Sequence, residues 1–438
     1  VQSARSLLEL TLVCLLVTVS SLPAETHHVA PGGDDGGAGT EAQPWATIRH
    51  AADSVIPGDT VLIHPGTYSE AVHMTTSATE ALPIIFRASA PGVVIDGAAL
   101  PTDFAHRDLF FIEHADWVTV ESLTLQDAHR AGVRLSYANH VTIRGCLCAD
   151  SGTWGIFTDF SDDTLLEGND CRGSVAEHGI YVSNSSDRAV IRGNHCHDNN
   201  ASGIQINADP QFLDPGDGIS SNCLVENNIC HDNGTAGGAA INLASVRDSV
   251  IRNNLLWGNR AGGIAGWGDG NGPAWGTMDN QFYHNTVWFR PTEGRWCISL
   301  KEGSVRNTIR DNILFGGHRG AIEFDDSSFV GWVADHNLLR RDGSAQIATN
   351  ESTDAAFTLA QWQALGMGQG SIGDDPLFID TATGDFRLQP TSPAIDRGVV
   401  IPGILTDLLG APRLQGLAPD LGCYEFMSIE GLAGLVLF

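Results

Sequence analysis

Seven asparagines recur through the middle of the chain: Asn169, Asn194, Asn228, Asn254, Asn285, Asn312 and Asn337, at spacings of 25, 34, 26, 31, 27 and 25 residues. A repeat of that length cannot bury its own apolar face, so successive copies must stack into a solenoid. Stacking also explains the residue type, because identical amides at one turn of neighbouring coils can hydrogen-bond to each other in a ladder. Two residues further on, Cys171, Cys196, Cys230, Leu256, Val287, Leu314 and Leu339 form a column of one parity, as alternation along a strand requires. This register predicts a parallel β-helix.

A second strand per coil supports it. Val133-Arg-Leu, Ile156-Phe-Thr, Ile180-Tyr-Val, Ile204-Gln-Ile, Ile241-Asn-Leu, Ile264-Ala-Gly, Ile298-Ser-Leu and Ile322-Glu-Phe place an apolar residue at each run's start and, in most, two positions later. An antiparallel sandwich would need hairpin turns and strands spaced about ten residues apart. It offers no reason for an asparagine column.

The organisation follows as a signal segment (1–24), one β-helix domain (25–426) and an apolar tail (427–438). Within the domain, 25–100 form an N-terminal cap and first coils, 101–345 the regular coils, and 346–426 an irregular C-terminal segment that closes the solenoid. A strand is expected at His27-His28-Val29, a capping helix over Pro44 to Ile56, and a short helix over Phe357 to Leu365. Arg5, the apolar run Leu7 to Val19, and small residues around Ser20, Ser21 and Ala24 resemble an export signal. The expected location is therefore secreted, extracellular or periplasmic, with no membrane association after removal of the signal. Both apolar ends are shorter than the ~20 residues a spanning helix needs.

A formal net charge of −28 excludes a general nucleic-acid role, because phosphate binding needs clustered Lys and Arg. Cys14 lies in the signal, and eight cysteines remain. Since Cys148, Cys171, Cys196 and Cys230 share the inward column, free buried thiols are expected rather than disulfides. A zinc site built from His195-Cys196-His197 and Cys230-His231 fails on parity, which sends the cysteines in and the histidines out. Three residues after the ladder, Trp257, Trp288 and Phe315 form an aromatic column. The closing segment, with Trp362 and Phe386, is expected to cover it.

Val29-Ala-Pro-Gly-Gly-Asp-Asp, Pro44-Trp-Ala-Thr-Ile, Pro57-Gly-Asp-Thr-Val and Pro65-Gly-Thr-Tyr open the chain, and Ser392-Pro-Ala-Ile-Asp-Arg-Gly and Asp420-Leu-Gly-Cys-Tyr-Glu close it. These segments resemble secreted right-handed parallel β-helix proteins of the pectin-lyase-like superfamily over about residues 27 to 426. The resemblance implies the fold. For activity it implies only a range, from polysaccharide lyases, hydrolases and epimerases to proteins without known chemistry.

The stacked second strands should present two outward columns. One reads Arg134, Phe157, Tyr181, Gln205, Asn242, Ala265, Ser299, Glu323, and the other Ser136, Asp159, Ser183, Asn207, Ala244, Trp267, Lys301, Asp325. Loops at 208–220 and 268–277 flank this face, as insertions walling a groove do. Lys301 is the sole lysine among 24 basic residues. Lysine, unlike arginine, can lose its proton and act as a base. In β-helix lyases that the pattern resembles, a lysine base works beside calcium ligands. Such a base removes the proton next to a uronate carboxylate, and the 4-linked sugar then leaves.

The expectation is thus a polysaccharide lyase-like enzyme acting on an acidic polysaccharide, and a monomer. Lys301, Asp325 and Glu323 are the candidate catalytic residues. Tyr181, Gln205, Asn207, Asn242, Trp267 and Arg319 are candidate substrate contacts, and Asp209, Asp269 and Asp159 candidate calcium ligands. Two alternatives stand: a non-catalytic glycan-binding surface or matrix protein, and a hydrolase using Glu323 and Asp325 as its carboxyl pair. Glu302, Glu323 and Asp325 should raise the lysine's pKa, and a plain Lys301–Asp325 ion pair is also expected.

Overall fold

The computed structural model describes residues 23–212 and 216–427, so the export signal up to residue 22 and nearly all of the apolar tail lie outside the described residues. Three sheets run the length of the molecule, with 12, 12 and 11 strands. The first extends from Thr26–Val29 to Val333–Asp335, the second from Val72–Met74 to Ala355–Thr358, and the third from Gly66–Tyr68 to Leu338–Arg341. Each coil contributes one strand to each sheet, and pairing between coils is parallel throughout the body. The final pair, Gln346–Asn350 with Ala355–Thr358, is antiparallel and ends the second sheet.

The asparagine column sits at the corner between the first and third sheets. The residue before each ladder asparagine is left-handed: Gly168, Gly193, Asn227, Asn253, His284, Asp311 and His336, with φ between 50° and 64°. That conformation reverses the chain within one residue, and glycine and asparagine tolerate it best. Each amide then bonds along the stack. Asn194 donates its backbone N–H and its Nδ2 to Asn228 Oδ1 at 2.9 and 3.0 Å, and Asn228 repeats this toward Asn254 at 3.0 and 3.0 Å. A second ladder of Asn199, Asn233 and Asn259 occupies the next corner.

Cys148, Cys171, Cys196 and Cys230 pair in register inside the third sheet, buried and free, as parity requires. Helix α1 (Ile48–Ser54) buries Ile48, Ala51 and Ala52. It is shorter than the stripe from Pro44 suggests, because Trp45 is held extended: its N–H donates to His28 O at 2.8 Å. Helix α2 (Leu359–Ala364) opens with a capping box between Thr358 and Gln361. Its Trp362 packs on Phe324 and Phe329, closing the core, and so does not cover the aromatic column. Of the two, Phe386 packs on the column, against Trp257 and Trp288 at 5.8 and 5.5 Å, while the Arg340 guanidinium lies over Phe315.

Candidate active-site groove

The second sheet carries both outward columns in the expected register. Tyr181, Gln205, Asn242, Ala265, Ser299 and Glu323 are successive partners, as are Ser183, Asn207, Ala244 and Trp267. Lys301 follows strand Trp296–Leu300 and extends its pairing, its N–H donating to Gly266 O at 2.9 Å. The face is not a solvated sheet. Gln205, Asn242 and Glu323 are only 6 to 8% exposed, and Asn242 Nδ2 donates to Gln205 Oε1 at 2.7 Å.

A cavity of about 240 Å³ opens on this face, lined by Asn242, Trp267, Arg295, Trp296, Lys301 and Glu323 among others. Lys301 Nζ lies 2.9 Å from Glu351 Oε2 and 3.6 Å from Glu323 Oε2. Partial burial pulls its pKa down, but the hydrogen bond to Glu351 and the two negative charges outweigh this, and the net shift is upward. Glu323 is itself fixed by Ser299 Oγ at 2.6 Å.

The expected Lys301–Asp325 pair does not form; the glutamates take the lysine instead. Asp325 accepts the N–H of Glu302 at 2.8 Å and the hydroxyl of Ser327 at 2.8 Å. Burial raises its pKa, yet these donors and Ser328 more than reverse that, leaving it lowered. Its carboxylate therefore works as the cap of a turn. Glu302, expected to act on the lysine, instead accepts the N–H of Gly270 at 2.9 Å and ties down the 268–277 loop.

Toward the N-terminus the groove holds an acidic pair. Asp209 accepts from Tyr181 Oη at 3.1 Å, Ser183 Oγ at 3.0 Å and Asn207 Nδ2 at 3.0 Å, and Asn207 Nδ2 also reaches Asp269 at 3.3 Å. Burial raises the pKa of Asp209, its hydroxyl donors pull back, and Asp269 adds to the rise. Burial likewise pushes up the phenol of Tyr181. Asp159 does not join them. It is held by Arg134 at 2.8 Å and by Ser136, one coil short of Ser183. Arg319 is exposed on the turn before strand Gly320–Phe324 and does not line the cavity.

Two residues that line the cavity, Arg295 and Trp296, and one that pairs with Lys301, Glu351, lie outside the sequence-derived candidates. Arg295 immediately precedes, and Trp296 begins, the strand that leads to Lys301, so their position one strand-length before the sole lysine is the available signal. Glu351 carried none, because it follows the point where the asparagine register ends.

With this geometry in view, comparisons place the chain. A family model described as "right handed beta helix region" matches residues 108–287, and one described as "Pel9A-like, right handed beta helix region" matches 27–171. The crystal structure of pectate lyase Pel9A superposes with a TM-score of 0.63 at 17% identity, covering 93% of this chain and 97% of that one. A rhamnogalacturonan lyase gives 0.56 at 14% identity, covering 84% and 96%.

The chain folds as a right-handed parallel β-helix, like that of pectate lyase Pel9A.

The chain is also 27% identical to the uncharacterised protein YwoF of Bacillus subtilis (strain 168), over 84% of this chain and 91% of YwoF. It shares 32% identity with pectate lyase PEL9 of Emericella nidulans, over 20% of this chain and 25% of PEL9. At these identities the structural likeness establishes a polysaccharide-lyase-like fold and no particular reaction.

Proposed function

We propose that this protein is a secreted lyase that cleaves an acidic, uronate-containing polysaccharide by β-elimination in the Lys301 groove. The observation that carries the reading is the lining of one cavity by Lys301, Arg295 and two tryptophans, Trp267 and Trp296. Among the described residues the Arg295 side chain has no acidic partner within ion-pair distance, which leaves a planar fork suited to a uronate carboxylate. Neutralising that carboxylate acidifies the neighbouring C–H. Lys301, once neutral, takes the proton. The electron pair left on carbon forms the new double bond as the 4-linked oxygen departs, and that oxygen takes up a proton in turn. The indole rings offer apolar faces to the sugar.

Asp209 and Asp269 present only oxygen donors, share Asn207, and have no ion-pair partner among the described residues. This donor set suits calcium, and the bound ion would supply positive charge to an acidic sugar. Asn207 and Lys301 are three coil steps apart, about 14 Å at ~4.8 Å per step. A calcium ion there serves a sugar beside the reacting one. A hydrolase is less well served by this groove, because Asp325 is spent on a turn and Glu323 on Ser299 and Lys301.

The test is ultraviolet absorbance during incubation with a panel of uronate polymers, with and without calcium, alongside an assay for reducing ends. Absorbance rising in step with new ends supports elimination, since the product carries a conjugated double bond. New ends without absorbance would establish hydrolysis. Saturable binding without either would leave a glycan-binding β-helix.

A further inference from the structure

The parity that defeats a cysteine–histidine zinc site builds a different one on the outer face of the third sheet. In strands Asp170–Arg172, His195–His197 and Ile229–His231, the middle cysteines point inward and both flanking positions point outward. Register sets Asp170 beside His195 and His197 beside His231, on three successive coils. We propose that Asp170, His195, His197 and His231 form a binding site for a late first-row divalent metal, zinc being the natural occupant.

The donor atoms already converge. One ligand atom each from Asp170, His195 and His197 lies within 4.8 Å of the others. His197 Nε2 is 3.3 Å from Asp170 Oδ1, and His195 Nε2 is 2.8 Å from His231 Nε2. Four ligands at about 2.0–2.1 Å from a tetrahedral zinc stand about 3.3 Å apart; Asp170, His195 and His197 are already near that spacing, and His231, in contact with His195, must rotate inward to complete the shell.

Two further observations point at a cation. Asp170 Oδ1 is a buried carboxylate oxygen that accepts no hydrogen bond. His197 and His231 each bring Nδ1 to the carboxylate of the next residue, Asp198 at 2.6 Å and Asp232 at 2.8 Å. Both aspartates are in the left-handed conformation that turns their side chains back to the ring. A carboxylate on Nδ1 fixes the proton there and leaves the Nε2 lone pair free, the outer-shell arrangement that accompanies metal-ligating histidines. Burial, together with the neighbouring imidazoles, also lowers the pKa of His195, which favours the neutral ring a metal requires. Nitrogen ligands select zinc, copper or nickel over calcium. The site lies on a different sheet from the Lys301 groove, and an ion bound there pins three coils together.

The test is calorimetric titration of the whole secreted protein with Zn²⁺ alone, and separately with Ca²⁺. One equivalent of zinc is expected to bind, with no calcium binding that depends on these residues. His197→Gln with His231→Gln should abolish zinc binding, and Asp198→Asn should weaken it by about 10–100-fold. Matching thermal unfolding of metal-free variant and parent shows that the fold is retained. The visible spectrum of the Co²⁺ form should lack a thiolate charge-transfer band, and Cys196→Ala should leave affinity unchanged. Absence of zinc binding, binding that survives the double substitution, or a thiolate band would each overturn the proposal.

Discussion

Replacing Asn228 by leucine tests the ladder at one of its fully buried rungs. Asn228 is fully buried. Its side chain donates to Ile191 O at 2.9 Å and Asn254 Oδ1 at 3.0 Å, and accepts from the N–H and Nδ2 of Asn194 at 2.9 and 3.0 Å. Leucine has nearly the same volume but removes all four bonds. At about 1 kcal/mol net for each, the loss is about 4 kcal/mol. It approaches about 6 kcal/mol because the Asn194 N–H is left in a dry corner with no other acceptor. That is a large share of the ~5–15 kcal/mol that holds a typical protein folded. The control is Asn200→Ala, which removes one exposed bond to Ala176 O and should cost less than ~1 kcal/mol. Guanidinium unfolding followed by tryptophan fluorescence and far-ultraviolet circular dichroism compares the two. Stacked coils can unfold in parts, so separation of the two signals in Asn228→Leu is a further expected sign. An unfolding midpoint for Asn228→Leu equal to that of Asn200→Ala would refute the ladder as the element that locks the coils.

Other outcomes follow from the charges. Glu351→Gln removes the closest of the groups that hold Lys301 protonated, so the rising limb of the pH–rate profile should move to lower pH. A move to higher pH would contradict the assigned base. Arg295→Ala and Trp267→Ala should raise KM by about 10-fold or more, with Arg295→Ala also lowering kcat if it neutralises the reacting carboxylate; unchanged kinetics in both would remove them from the substrate site. Where the C-terminal segment docks, burial raises Asp311 to about 7, Asp420 to about 6 and Glu425 to about 8, while it drives His284 well below 6.5. Raised carboxyls stabilise the docked state at low pH and lose that contribution as pH climbs through their folded values. The histidine opposes this only below about 6.5. Docking of residues 394–426 should therefore loosen between about pH 6.5 and 8, seen as faster amide exchange beyond the intrinsic pH effect. Tightening over that window would reverse the sign.

The repeat made the body of this fold legible. Asparagine spacing marks the corner, and parity then places Cys148, Cys171, Cys196 and Cys230 inward and sets both outward columns. Legibility ended with the repeat. Glu351 lies past the last ladder asparagine, so the asparagine register does not bring it to Lys301 and points to Asp325 instead. Trp362 and Phe386 were both assigned to the aromatic column because a column shows that a cover is needed without showing which ring provides it. The second ladder was within reach, since Asn199, Asn233 and Asn259 each follow a ladder asparagine by five residues. The histidine cluster was seen as a motif, but weighing it together with cysteines concealed that the outward residues suffice.

Everything proposed for the groove turns on Lys301 acting as the base of an elimination reaction. The most direct measurement is the rate of double-bond formation by Lys301→Ala and Lys301→Arg on a uronate polymer that the parent cleaves, with equal folding shown by circular dichroism. The account predicts a fall of at least about 10²–10⁴-fold in both, because general-base catalysis contributes on that order and arginine keeps its proton. Rates within a few-fold of the parent would contradict it.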